Sequence, residues 1–304
     1  MTLRSLYEVP APAKLNLFLH VVGRRPDGYH LLQSAFVLID WCDTLHFERR
    51  SDDRIVRHDF GAALPEDDLC LRAARALQHA SGCGSGADIA IDKRVPWGAG
   101  LGGGSSDAAT TLLALNRLWA LHWPRERLLA LARTLGADVP FFVGGDNAFV
   151  EGTGELLTPL DLAPQWLAVV KPPAAIATAE IFASAMLRRD SEPVIVTDFL
   201  AGTQHGQEPR DLPGDRAGFV ACGFGRNDLQ PVAEARCPEV AQALGWLAAR
   251  FGASRMTGSG SAVFAGAGTG GQPVATWSAD ELPPGWVGRM CRSLPGHPLR
   301  GWAG

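Results

Sequence analysis

The most informative segment of this chain is Val95-Pro-Trp-Gly-Ala-Gly-Leu-Gly-Gly-Gly-Ser-Ser106, which a helical pattern over residues 108–121 follows directly. Successive glycines let backbone N–H groups approach an anion closely. The start of a helix adds its own free N–H groups and the positive end of its dipole. Five glycines in the seven residues 98–104 are more than a plain turn needs. The segment therefore predicts a loop that holds phosphate groups.

Two common nucleotide-binding motifs do not fit this segment. Gly98-x-Gly100-x-x-Gly103 has the spacing of the dinucleotide fingerprint. That fingerprint needs a strand running straight into the first glycine, but Lys93-Arg-Val-Pro96 interrupts it, and no acidic residue stands about 20 positions further on. The P-loop pattern fails because no lysine precedes Ser105. The sequence therefore disfavours a dehydrogenase and indicates a phosphate loop of another class.

Length and composition limit the class of protein. The chain has 304 residues, of which 46% are hydrophobic and 20% charged, and its formal net charge is −4. At roughly 100–200 residues per domain, this length predicts two domains or one large one. The composition excludes a disordered chain, a coiled coil and a collagen-like repeat. The slightly acidic balance argues against a nucleic-acid partner.

Cysteine usage and hydropathy indicate the compartment. No apolar run approaches the roughly 18 residues that a membrane helix needs, and the N-terminus has no convincing signal peptide. The cysteines are widely spaced and form no CxxC pair, which is typical of reduced thiols. We therefore expect a cytoplasmic protein with no membrane partner. The cysteines are Cys42, Cys70, Cys83, Cys222, Cys237 and Cys291.

The pattern of apolar residues predicts a mixture of helices and strands. Residues 13–22 alternate with a period of two, which predicts a half-buried strand whose polar face carries Lys14 and Asn16. The two side chains are either exposed or line a cleft, and spacing alone leaves both readings open. Further strands are predicted over 36–41, 44–49, 88–92, 166–171 and 286–291, a hairpin over 149–160, a solvated edge over 49–59, and helices over 69–80, 124–135, 178–187 and 239–251.

Three short motifs each have a functional and a structural interpretation. Asp138 either caps a turn or is a carboxylate held among apolar residues for acid–base work. Tyr29-His30 follows a turn and forms either a stacking platform or part of the packing. Thr257-Gly-Ser-Gly-Ser261 either closes over phosphates or is a simple hairpin. Local sequence alone leaves all three open.

Taken in order, these motifs resemble those of the GHMP small-molecule kinases. The likeness spans roughly residues 10–265 and is carried by Pro12-Ala-Lys14-Leu-Asn16-Leu, Arg25-Pro-Asp-Gly-Tyr29-His30, the glycine-rich segment, Leu135-Gly-Ala-Asp138-Val-Pro, Asn227-Asp-Leu-Gln-Pro231 and Met256-Thr-Gly-Ser-Gly260. Within the superfamily, the motifs are similar to those of the kinases that act in the non-mevalonate isoprenoid pathway. Those kinases phosphorylate the 2-hydroxyl of a methylerythritol that carries cytidine diphosphate. Tyr29-His30 favours these kinases over homoserine or mevalonate-type kinases.

The resemblance implies an α+β, two-domain GHMP kinase fold with the active site in the cleft between the domains. An N-terminal ATP-binding domain would cover 1–160 and a C-terminal domain 161–304. The chain departs from the family pattern at Trp97, where methionine is common, over 188–216, and after Gly266. A catalytically silent nucleotide-binding protein is the alternative from another class, and the retention of Lys14 and Asp138 argues against it.

The resemblance also implies which residues act. Lys14 and Asp138 would be catalytic, with ATP as co-substrate and Mg²⁺ carried mainly by the nucleotide and by Ser106. The partner would be a small molecule that carries cytidine diphosphate, and the protein would be a monomer or weak homodimer. The implied ATP-binding residues are Lys93, Pro96, Trp97, Gly98, Ala99, Gly100, Leu101, Gly102, Gly103, Gly104, Ser105 and Ser106. The implied substrate-binding residues are Asn16, Tyr29, His30, Phe36, Thr178 and Phe182.

Overall fold

The computed structural model describes residues 3–61, 64–204 and 223–303. Two sheets organise this part of the chain. In the first, the neighbour order is β3-β4-β2-β5-β6, with β1 also paired to β2, and in the second it is β10-β7-β9-β8. The strands are β1 (Ser5–Arg24), β2 (His30–Arg49), β3 (Ile55–Phe60), β4 (Ala87–Asp92), β5 (Ala148–Gly152), β6 (Leu156–Pro159), β7 (Trp166–Lys171), β8 (Ser254–Met256), β9 (Val263–Gly266) and β10 (Val287–Arg292).

Helices pack against both sheets, as an α+β fold requires. Two of them, α1 and α2, contribute the largest share of the core beneath the first sheet. The helices are α1 (Leu69–Ser81), α2 (Gly103–Leu118), α3 (Arg125–Ala132), α4 (Val139–Gly144), α5 (Thr178–Ala183), α6 (Val196–Gln204), α7 (Gln230–Arg236) and α8 (Pro238–Phe251), with 3-10 turns at Ala279–Glu281 and Arg300–Trp302.

Strand β1 contains the strand predicted over 13–22, but it is buried on both faces there, so the predicted half-burial is wrong. Lys14 is 3% exposed and Asn16 is 2% exposed. The polar face is shielded because the two glycine-rich segments cover it. The Lys14 backbone N–H donates to the Leu101 carbonyl at 2.9 Å, and the Asn16 backbone N–H donates to Thr257 Oγ1 at 2.9 Å. Alternation therefore identified the strand but not what lies over it.

Several predicted elements are confirmed and others are wrong in extent. The hairpin over 149–160 is β5 and β6, and α8 and β7 match their predictions. The strands predicted over 36–41 and 44–49 are one continuous strand, β2. The segment 49–59, expected only as a solvated edge, contains β3, which pairs parallel to β4 at the edge of the sheet. Charged residues inside β3, with Arg57 paired to Asp59 at 2.6 Å, hid the strand pattern.

The boundary predicted near residue 160 falls between the two sheets, since β6 ends at Pro159 and β7 begins at Trp166. The end of the chain crosses back to the first sheet. The Leu294 N–H donates to the Leu38 carbonyl at 2.8 Å, and Asn147 Nδ2 donates to the Leu294 carbonyl at 2.8 Å. The division into domains over 1–160 and 161–304 stays a prediction, and the last residues contribute to the core of the first half.

Among the described residues, no helix has both the length and the apolar character needed to cross a bilayer. Five of the cysteines are described, and each is unpaired. The sixth, Cys222, lies outside the described ranges.

The segment after β10 contains a buried histidine. Titration of this histidine is expected to make the free energy of unfolding depend on pH. His297 is 3% exposed, and its Nδ1 accepts from the Leu299 N–H at 3.1 Å. Burial, aided by the positive charge of Arg125, lowers the pKa of His297 to about 4. An unfolded chain takes up this proton near pH 6.5, so protonation favours unfolding. Stability present above pH 6.5 is therefore expected to fall as the pH drops toward 4.

Thermal unfolding across pH 4 to 7 measures this effect. His297→Asn keeps an acceptor near Leu299 and removes the titrating ring, so its unfolding temperature should depend less on pH than that of the wild type. His79→Asn, a change on the exposed side of α1, should keep the wild-type slope. An unaltered slope in His297→Asn would show that other groups cause the loss of stability.

Candidate active site

A cavity of about 1140 Å³ lies between the glycine-rich segment, the turn after β1, strand β2 and helix α5. Its walls come from both halves of the chain, because the turn of residues 257–261 between β8 and β9 closes one side. A cavity of this size, lined by a few converging polar groups, is typical of a small-molecule site. It contains Lys14 and Asp138 together with most of the residues predicted from the sequence.

The segment from Pro96 to Ser106 forms a loop and the first turn of α2. Gly98, Gly100 and Gly102 adopt positive φ angles of 59°, 73° and 71°, which glycine adopts without steric cost. Helix α2 begins at Gly103, earlier than the predicted start at 108, and its N-cap makes no side-chain hydrogen bond. No side chain therefore caps the first N–H groups of α2. The residues that carry these groups line the cavity. This arrangement suits a phosphate group.

The second glycine-rich segment packs backbone against backbone on the first. The Ser261 N–H donates to the Gly98 carbonyl at 3.3 Å, and the Ala262 N–H donates to the Ala99 carbonyl at 3.1 Å. A side chain at Gly100 would overlap the Thr257 carbonyl. The segment is therefore the turn of a hairpin that also lines the cavity. Its closure over phosphates stays a prediction.

Gly100→Ala is expected to lower the melting temperature and remove activity. Its φ of 73° and the Thr257 carbonyl both oppose a Cβ, and such backbone strain costs on the order of 1–3 kcal/mol. Gly104→Ala is the matched control, because its nearest neighbour would be Leu69 Cδ1 at 3.9 Å, an ordinary contact. Differential scanning calorimetry of both variants tests this prediction, and equal melting temperatures would contradict it.

Lys14 and Asp138 meet at the floor of the cavity. Lys14 Nζ lies 3.5 Å from Asp138 Oδ2, donates to Asn16 Oδ1 at 2.6 Å and stands 4.6 Å from the centre of the Phe36 ring. Asn16 is itself fixed, because its Nδ2 donates to Ser34 Oγ at 2.9 Å. The lysine is therefore a buried cation held in one position, not the exposed surface charge that spacing alone allowed.

Asp138 immediately precedes α4, but it does not act as a capping side chain. It makes no cap hydrogen bond to the helix, and 31% of its side chain is exposed. The residues after it, 139–143, are buried. One edge of the carboxylate is therefore anchored by Lys14, and the rest faces the cavity. This placement allows the acid–base interpretation and removes the capping one.

Lys93 lies beside the glycine-rich loop in a buried ionic cluster. Its Nζ donates to Asp43 and, at 2.7 Å, to Asp107 Oδ2. Burial alone would lower the pKa of Lys93, but the two carboxylates raise it. Burial raises the pKa of Asp107, with the nearby Asp43 charge adding to the rise. The Cβ position of Gly103 would lie 3.4 Å from Lys93 Nζ, so the cluster supports the start of α2.

Sequence reasoning missed both carboxylates of this cluster. Asp43 accepts hydrogen bonds from the Arg94 and Val95 backbone N–H groups at 2.6 and 2.8 Å. It therefore holds the segment that precedes the glycine-rich loop against β2. Strand β2 also contains Asp40 and Glu48, so no local signal in the sequence distinguishes Asp43. Asp107 fits the pattern of a helix-starting residue, which hides its contact with Lys93. The contact of Lys93 with a nucleotide stays a prediction.

All of the predicted substrate residues line the cavity. Asn16 and Phe36 contact Lys14. Tyr29 is 66% exposed. The His30 and Phe182 rings stack with centroids 4.9 Å apart. Thr178 Oγ1 and Ser259 Oγ are 2.6 Å apart, which ties α5 to the second glycine-rich segment. The roles of these residues toward a ligand stay predictions.

Ser106 is a poor fit as a metal ligand. Its side chain is fully buried in α2 and is absent from the residues that line the cavity. Its hydroxyl has no hydrogen-bond partner in the described part of the chain. Within that part, no cluster of three or more His, Cys, Asp or Glu side chains is arranged to hold a metal ion. The assignment of Ser106 to Mg²⁺ stays a prediction that this geometry does not favour.

Comparison with known sequences places the chain among kinases. Residues 68–146 match the GHMP kinases N terminal domain, and residues 219–269 match the GHMP kinases C terminal domain. A 4-diphosphocytidyl-2-C-methyl-D-erythritol kinase of Methylibium petroleiphilum is 65% identical over 305 residues, covering 100% of both chains. A protein of the same name from Variovorax paradoxus is 52% identical, covering 99% of this chain and all of its own.

Solved structures agree with this placement. A crystal structure of 4-(cytidine 5'-diphospho)-2C-methyl-D-erythritol kinase superposes with a TM-score of 0.75 at 34% identity, covering 94% of this chain and 98% of that one. The homoserine kinase of Cytophaga hutchinsonii gives a TM-score of 0.63 at 16% identity, covering 98% of this chain and 96% of its own. The second likeness is one of fold alone.

Proposed function

Because this chain belongs to the 4-diphosphocytidyl-2-C-methyl-D-erythritol kinase family of GHMP kinases, we propose that it transfers the γ-phosphate of ATP to the 2-hydroxyl of that cytidine-linked polyol. This step belongs to the non-mevalonate isoprenoid pathway. The observation that carries the proposal is the Lys14–Asp138 pair, 3.5 Å apart, in a cavity that reaches from the glycine loop to Tyr29 and His30.

Asp138 is the group that accepts the proton of the substrate hydroxyl. The hydroxyl oxygen forms a bond to the γ-phosphorus while the bond from that phosphorus to the β–γ bridging oxygen breaks, and ADP leaves. An alcohol is a poor nucleophile, so a positioned carboxylate assists the step. Asp138 suits this role because its exposed edge faces the cavity and no cap hydrogen bond occupies it.

Lys14 supplies fixed positive charge at the same point. Its ammonium orients Asp138 and neutralises charge that develops on the transferred phosphoryl group. Burial and the hydrogen bond to Asn16 hold it in place before the substrate arrives. Phosphoryl transfer depends mainly on positioning and charge stabilisation, so two side chains and a phosphate loop suffice.

The phosphates of ATP would lie on the backbone N–H groups of the glycine loop and the start of α2, over residues 98–105. We propose that Mg²⁺ enters with the nucleotide and offsets its charge, with its ligands supplied mainly by the phosphates. We also propose a cytoplasmic enzyme, where ATP is available, that acts as a monomer or weak homodimer. One chain supplies Lys14, Asp138 and both glycine-rich segments, so the site needs no second copy for these groups.

An ATP-consumption assay with three acceptors tests the proposed function. The cytidine-linked methylerythritol, homoserine and mevalonate should be offered separately at equal concentrations. We expect turnover only with the first, because we propose that Tyr29 and His30, which line the cavity, bind its cytosine base. Turnover of homoserine or mevalonate alone would identify a different GHMP kinase. If none of the three acceptors leads to ADP release, the result would favour a nucleotide-binding protein without this activity.

Tyr29→Ala is expected to weaken binding of the cytidine-linked substrate by the ~1–3 kcal/mol typical of base–aromatic stacking. ATP affinity should barely change, because the phosphate loop is a separate part of the cavity. Tyr7, the only other tyrosine of the chain, is 59% exposed and does not line the cavity, so Tyr7→Ala is the matched control. Titration calorimetry with each ligand decides. An equal loss for both ligands, with a lower melting temperature, would mean that Tyr29 only packs the turn.

A further inference from the structure

The protonation of the His30 ring is fixed by a residue outside the cavity. Arg189 Nε donates to His30 Nε2 at 3.1 Å. A guanidinium group has donors and no acceptor, so Nε2 must receive this hydrogen bond as an unprotonated nitrogen. A neutral imidazole then carries its single proton on Nδ1. Nδ1 has no hydrogen-bond partner among the described residues, and His30 lines the cavity.

Arg189 is built into the protein behind this ring. Its Nη1 donates to the Leu187 carbonyl at 3.0 Å, and its Nη2 donates to the Phe182 and Ser184 carbonyls at 2.9 and 2.8 Å. Arg189 is half-buried and is not among the residues that line the cavity. One guanidinium therefore binds the edge of His30 and the backbone of Phe182, the two residues whose rings stack.

The surroundings of His30 also favour its neutral form. Burial, followed by the charges of Arg189 and Arg24, lowers the pKa of His30 below its ordinary value. A charged imidazolium would need a proton on Nε2, directly against the Arg189 donor. The hydrogen bond from Arg189 and the nearby positive charges therefore both favour the neutral His30 ring, with its proton on Nδ1.

We propose that Arg189 is a positioning residue that holds His30 as an Nδ1–H donor, and that this state makes the enzyme prefer cytosine over uracil. The proposal rests on the proposed function. The N3 atom of cytosine is an acceptor and pairs with Nδ1–H, whereas N3 of uracil carries a hydrogen and meets the donor unfavourably. A site built for one hydrogen-bond pattern rejects the analogue that lacks it.

The kinetic test compares substrates that differ only in the base. For wild type, Arg189→Met and Arg188→Met, kcat/KM is measured with the cytidine-linked and the uridine-linked methylerythritol. Arg188 is the matched control, because it is the neighbouring arginine and is exposed. We expect Arg189→Met to reduce the cytidine-to-uridine ratio about tenfold, which is about 1.4 kcal/mol of lost discrimination. The KM for ATP should stay unchanged. Equal losses with both substrates would overturn the proposal, because a merely structural role predicts them.

The wild-type protein gives a second test that does not depend on a variant folding. Nitrogen-15 spectra of the imidazole rings, with His30→Gln to assign the signals, report which nitrogen carries the proton. We expect a protonated Nδ1 and an accepting Nε2. A proton on Nε2, or a mixture of both forms, would overturn the proposal. If the wild type instead phosphorylates only another alcohol, the proposed function fails, while the spectrum still reports on Arg189.

Discussion

Asp138→Asn is expected to fold normally and to lose about 10²–10⁴-fold in kcat, because an amide cannot accept the proton of the substrate hydroxyl. The structure indicates that this substitution should leave the fold intact. Asp138 makes no cap hydrogen bond to α4, and its main partner is Lys14 at 3.5 Å. The change therefore removes the base without removing a hydrogen bond that the fold needs.

Steady-state kinetics and thermal unfolding of the same preparation measure both halves of this expectation. Asp190→Asn is a suitable control, because Asp190 is 86% exposed and lies outside the cavity. Its kcat should equal that of the wild type. A near-normal kcat in a correctly folded Asp138→Asn would exclude Asp138 as the base and leave positioning as the source of catalysis.

The position of the glycine-rich loop could be predicted from the sequence because the signal for it is local. Consecutive glycines followed directly by a helix are typical of an anion-binding loop, and the structure places the loop at the start of α2. The position of Lys14 could not be predicted in the same way. Whether its side of β1 faced water depended on Leu101 and Thr257, which come from distant parts of the chain. Only the ordered set of motifs joined Lys14 to Asp138.

Residues that support the site were the hardest to predict. Asp43 and Arg189 act through hydrogen bonds to Lys93 and His30, and the members of each pair are far apart in the sequence. Neither residue lies in a repeating pattern that points to its role. Arg189 also lies in the segment 188–230, where the sequence shows little periodicity. The predicted site therefore consisted mostly of residues that line the cavity, and it missed Asp43 and Arg189, which hydrogen-bond to two of them.

Lys14→Met is expected to lower kcat by about 10²–10³-fold, the usual effect of removing one preorganised group that stabilises transition-state charge. The KM for ATP should change much less, because this charge matters most while the phosphoryl group transfers. Methionine keeps the apolar stem that lies beneath Gly102, so packing there should survive. A rise in KM alone would make Lys14 a ground-state binding residue.

Two further variants provide the comparisons for Lys14→Met: one changes another lysine, and the other combines the substitutions of Lys14 and Asp138. Lys171, one of only three lysines in the chain, donates to the Pro172 and Ala174 carbonyls outside the catalytic pair. Lys171→Met should therefore leave kcat near the wild-type value. The double variant Lys14→Met/Asp138→Asn is the sharper comparison. Groups that act as a unit are strongly non-additive, so the double variant should be little slower than the slower single variant. Losses that multiply would mean that the lysine and the carboxylate act in separate steps, despite lying 3.5 Å apart.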